Sequence, residues 1–199
     1  AAPDTRRLHT HLVGGSDRDG WLECHMPRIN EGLQDVVRTH TIFSPNHRGM
    51  LESNHPNACN LCHVERSIDW TLEWLERWYG TEADRVILDR TYTDRKRPVG
   101  AGWLASEDEA VRLVGADCLI RSGAKWALED LVEALDDDFM LNRQFARRGI
   151  EKLVGRSLDS TGYQFYMTRP ERKGSLKRIR GEWLKAGPAP ATSESGGDE

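Results

Sequence analysis

Cys59-Asn60-Leu61-Cys62-His63 sets two thiols three residues apart with an imidazole directly after the second. Two thiols at that spacing can reach the two vinyl groups on one edge of a porphyrin. The histidine that follows then lies under the ring centre, where it can bind iron. This is the attachment pattern of a c-type haem. A C-x-x-C pair has two other chemical uses. A zinc site calls for a second pair at related spacing, and only single cysteines remain, at Cys24 and Cys118. A thioredoxin-like dithiol calls for a βαβ context, which the hydrophobic pattern does not offer.

Upstream, Trp21-Leu22-Glu23-Cys24-His25 keeps the second cysteine and the histidine of the same pattern, with Trp21 where the first cysteine would stand. One thioether suffices to keep a porphyrin attached, and His25 would then be its proximal ligand. The bland alternative is a decayed site with an ordinary thiol at Cys24. Cys118 reads as a small core residue, open to pairing with Cys24 only if the latter holds no haem.

These groups need elements to position them. Residues 1–64 contain all seven histidines, several turn signals and little periodicity. Such a segment is expected to be loop-rich and to pack around a cofactor. A helix is expected from Ser67, with Ile68, Leu72, Leu75 and Tyr79 on one stripe and Trp70, Trp74 and Trp78 on a second, giving a wide apolar arc. It reads as a Trp-rich joining helix followed by a loop-like linker, over residues 65–105. Ser106 with Glu109 suggests a capping box. The helices after it carry Val111, Val114, Cys118 and Leu119, then Leu128, Leu131, Val132 and Leu135, then Leu141, Phe145, Ile150 and Leu153. Arg112 and Arg143 hold equivalent places 31 residues apart, and Val114 matches Phe145 as Leu119 matches Ile150. This resembles a pair of short HEAT-like repeats over residues 106–185, capped by the Trp-rich helix and by a last helix with Leu176, Ile179, Trp183 and Leu184 inward. Residues 186–199 have the composition of a disordered tail. The expected class is mostly α: a loop-rich, haem-packed N-terminal module followed by a short helical repeat domain.

A longer stretch of text carries a family resemblance. Cys24-His25-Met26-Pro27, then His40-Thr41-Ile42-Phe43-Ser44-Pro45, then Cys59 to His63 resembles the C-terminal haem pair of multihaem cytochromes c, including the ammonia-forming nitrite reductases. The segment from Pro56 to Trp78-Tyr79-Gly80 resembles bacterial multihaem cytochromes that continue into HEAT-like repeats. The resemblance implies His63 as proximal ligand of the haem on Cys59 and Cys62, with His9 or His11 as its distal ligand. It implies His25 as proximal ligand at Cys24. His40 then serves either the Cys24 haem or a haem from another segment or chain. The chain departs from the family at Trp21, has no earlier haem motif and has no histidine after His63.

Bulk properties bound the function. A net charge of -4 and a pI near 6.0 give nucleic-acid binding no electrostatic support, and no apolar run is long enough to span a bilayer. Seven tryptophans in a chain of mean hydropathy -0.66 are expected to be buried. The start at Ala1-Ala2-Pro3-Asp4 suits an exported, processed protein or a segment of a longer one. The expected function is electron transfer outside the bacterial cytoplasm, with redox proteins or other haem-bearing chains as partners and an oligomer sharing histidine ligands as one arrangement. The alternatives are the C-terminal portion of a multihaem reductase and a HEAT-like interaction module with a structural haem. No catalytic residue is assigned.

Overall fold

The computed structural model describes residues 9, 11, 21–32 and 34–183. Ten α-helices, three short 3-10 turns and one two-stranded hairpin lie among the described residues, so the chain is mostly α. It divides into two compact units, residues 1–122 and 123–199, and each is taken by itself. Leu184, Lys185 and the tail from Ala186 lie outside the described residues.

The first unit opens with α1 (Trp21–His25), a hairpin of β1 (Arg28–Asn30) and β2 (Val37–Arg38), α2 (Arg48–Glu52) and α3 (Ala58–Cys62). Helices this short cannot persist on their own backbone bonds. Side chains hold them instead. The Arg38 guanidinium binds the carbonyls of Leu22 and Met26, each at 3.1 Å, and pairs with Glu23, so β2 is tied to the end of α1. The Asn57 side chain caps α3 by accepting from the Asn60 backbone N–H.

The next element, α4 (Ile68–Tyr79), starts at Ser67, whose side chain accepts from the Trp70 N–H, and ends at Gly80 with φ 64°. Ile68, Thr71 and Leu75 are buried, whereas Tyr79 is 45% exposed, so the buried stripe stops a turn short of the helix end. Trp70, Trp74 and Trp78 form a half-buried row. Trp103 and Trp183 are fully buried, but Trp21 and Trp126 are nearly half exposed. General burial of the tryptophans is therefore not what the chain does.

The segment expected to be a linker contains two helices, α5 (Arg85–Thr91) and α6 (Val99–Leu104). Neither has an apolar period to give it away. Leu88 is the buried residue of α5, which Asp84 starts by accepting from the N–H groups of Val86 and Ile87. In α6, Val99, Ala101 and Trp103 are buried together with Gly100. A Cβ on Gly100 would stand 2.3 Å from Val64 Cγ2 and 2.8 Å from Leu119 Cδ2, and one on Gly115 would stand 2.8 Å from Trp103 Cβ. So α6 packs closely on α7 (Glu109–Arg121) at these glycines. The N-cap of α7 is Asp108, not Ser106: its carboxylate accepts from Ala110 and Val111, while Ser106 Oγ accepts from the Asp108 N–H. Every residue of α7 from Leu113 to Leu119 is buried, as is Val111, so this helix is enclosed on more than the one face its pattern suggested. It groups with residues 1–122, whereas the sequence reading opened a new domain at residue 106.

The second unit holds α8 (Leu128–Glu133), α9 (Met140–Val154) and α10 (Arg169–Glu182) around Leu131, Val132, Leu135, Phe145, Ile150, Tyr163, Leu176, Ile179 and Trp183. Leu128 and Leu141 are half-buried. Thr168 and Glu171 form a capping box at the start of α10, where Pro170 suits the first turn. The 31-residue correspondence has a structural counterpart inside each segment. Arg112 Nη1 donates to the carbonyls of Ser106 (2.8 Å) and Glu107 (2.9 Å). Arg143 Nη1 donates to those of Asp137 (2.7 Å) and Asp138 (3.0 Å), the same two offsets back along the chain.

Gly100→Ala is expected to lower stability by about 1–3 kcal/mol, the usual cost of overpacking. Gly102→Ala, where an added Cβ meets nothing within 4 Å, is the matched control and is expected to cost nothing. Chemical denaturation of the two variants side by side measures the difference.

Candidate cofactor-binding cleft

The two cysteine-bearing turns meet. Helix α1, carrying Cys24 and His25, packs against α3, carrying Cys59 and Cys62. Their thiols, with His25, His63 and His9, face one mainly apolar cleft walled on the other side by Trp70, Trp74 and Trp78 of α4. Its volume of about 270 Å³ is at the low end for a ligand site, so a large flat ring seated there keeps an edge in solvent. No disulfide joins the four cysteines. Burial, then the charges of Cys24 and Cys62, push the Cys59 thiol up to about 12. Burial, then Cys62 and Glu23, push Cys24 up as well.

Each histidine is held differently. His25 Nδ1 lies 2.8 Å from the Phe43 carbonyl oxygen, and the Phe43 N–H donates to the His25 carbonyl, also at 2.8 Å. A nitrogen facing a carbonyl must carry the proton, which leaves His25 Nε2 as a bare donor for a metal. The Trp21 ring lies beside His25 at 5.0 Å and 25°. His63 sits at the C-cap of α3, its ring 4.9 Å from that of Trp70 and its Nδ1 3.9 Å from a Glu65 carboxylate oxygen. His9 lies 5.9 Å from His25, ring to ring, with planes 8° apart. His11 instead stacks on Trp78 at 4.3 Å. His40 is exposed and is not part of the cleft wall. So Cys24, Cys59, Cys62, His25, His63 and His9 come together, while His11 and His40 lie apart from them.

The motif turn is held by residues that spacing did not single out. The Asn60 side chain, fully buried, accepts from Asn57 Nδ2 (3.0 Å) and Thr71 Oγ1 (2.7 Å) and donates to the carbonyls of His63 and Arg66 (3.3 Å each). Cys118 is buried and its thiol donates to the Leu61 carbonyl at 3.1 Å, so it braces α3 from behind and is not paired with Cys24. The sequence signal was weak: Asn at an N-cap place before the motif marks Asn57, but nothing local marks Asn60 or Thr71.

The residues present suit a covalently bound porphyrin. Among the described residues no three His, Cys, Asp or Glu side chains converge as a cage for a bare metal ion. A porphyrin brings four nitrogens of its own and asks the protein for thiols along an edge, one or two axial imidazoles and apolar walls. No family model, curated protein or solved structure matches the chain.

Two outcomes follow from this geometry. Asn60→Ala strands several buried partners, at about 1–3 kcal/mol for each group left unsatisfied, and Asn60→Asp does not rescue it because a carboxylate cannot donate to the two carbonyls. Both are expected to lower the denaturation midpoint, with Asn57→Ala milder. Burial also pushes the Cys118 thiol up to about 12 from an ordinary value of 9.0, so the folded state favours the protonated thiol. That contribution is complete below pH 9.0 and is lost as pH rises towards about 12. Cys118→Ala is therefore expected to flatten the alkaline fall in stability, measured as unfolding midpoints across that range.

Proposed function

We propose that this chain is an electron-transfer protein carrying c-type haem. Cys59 and Cys62 hold one porphyrin by two thioethers with His63 as axial ligand, and Cys24 holds a second by one thioether with His25 as axial ligand. The observation that supports this most is the meeting of two Cys-His turns, from segments of the chain 38 residues apart, at one tryptophan-walled cleft. Isolated look-alike motifs have no reason to share a cleft.

The two-haem reading follows the resemblance to the haem pair of multihaem cytochromes c. Haem irons with two protein ligands have no open position for substrate, which favours electron transfer over reductase chemistry within this chain. The exposed cleft edge favours exchange with another protein. His40, exposed and outside the cleft wall, suits a haem borne by another segment or chain, as the same resemblance implies. The paired bonding of Arg112 and Arg143 supports reading residues 106–185 as HEAT-like helices serving as scaffold or docking surface. In the cytochromes the chain resembles, haem c is attached outside the cytoplasm, which supports a location in the periplasm or at the cell surface.

Cys59→Ser with Cys62→Ser is expected to remove one porphyrin from the mass of the intact chain and to lower the absorbance per chain accordingly. Retention of the full covalent complement would sink the assignment. Production confined to the cytoplasm is expected to give colourless protein.

A further inference from the structure

We draw no further inference here: the strongest candidate, the groove between α4 and α5 lined by Glu73, Glu76, Glu82 and Arg85, is a cluster of mostly acidic side chains with nothing in the structure to show what fills it.

Discussion

The buried amide of Asn60 is the contact on which the rest of the cleft depends. It stands between the two motif cysteines and bonds to Asn57 before them, to the carbonyls of His63 and Arg66 after them and to Thr71 on α4. A five-residue helix has almost no stability of its own. Clamped at both ends and braced by the Cys118 thiol on the Leu61 carbonyl, α3 becomes a fixed platform. The close approach of Gly100 to Val64 holds the chain directly after His63 in the same way. Both thiols and the imidazole are thereby presented together, the condition for bonding one rigid ring at three points.

Packing on the open side of that platform is of a different kind. Trp70, Trp74 and Trp78 are spaced one turn apart on α4, with ring centres 6.4 and 4.9 Å apart, and they stay half-buried. The guanidinium of Arg77 lies over Trp74 and that of Arg66 over Trp70, so cations cover part of the aromatic surface. The remainder faces the cleft. Apolar area of this sort is worth about 25 cal/mol for each Å² removed from water. A polar chain with short N-terminal helices gains more from covering such a wall than from any further contact among its own loops. In the haem reading, this is the part played by three large aromatic side chains on a helix whose buried stripe is only Ile68, Thr71 and Leu75.

What the sequence disclosed follows from how local each signal is. The motif from Cys59 to His63 and its partial copy at Cys24-His25 are contiguous, so chemistry could be read from neighbours alone. Helix α4 was legible through its period and its caps, and the Arg112–Arg143 correspondence through position in a repeating pattern. The two helices in residues 81–105 were not, because α5 buries Leu88 alone and α6 is a six-residue helix too short to show an apolar period, with Gly100 at its closest contact. The enclosure of α7 and the role of Asn60 depend on partners distant in sequence. The place of His9 beside His25 goes with the bond from the Tyr79 hydroxyl to the His9 carbonyl, a contact across 70 residues that no spacing rule contains.

The two motif histidines differ in what stands beside Nδ1 of each ring. His25 has a backbone carbonyl at 2.8 Å, a hydrogen-bond partner that fixes both the tautomer and the rotation of the ring. His63 has a carboxylate oxygen at 3.9 Å, beyond hydrogen-bond length, with both side chains nearly half exposed. A carbonyl within hydrogen-bond length fixes the orientation of an imidazole, whereas a more distant, exposed carboxylate does not. The stretches Trp21–His25 and Cys59–His63 share only their closing Cys-His, and their second neighbours set the two histidines further apart. The Phe43 carbonyl, supplied by the loop after β2 and tied back to His25 by its own N–H, is as much part of the site as the cysteine it stands beside.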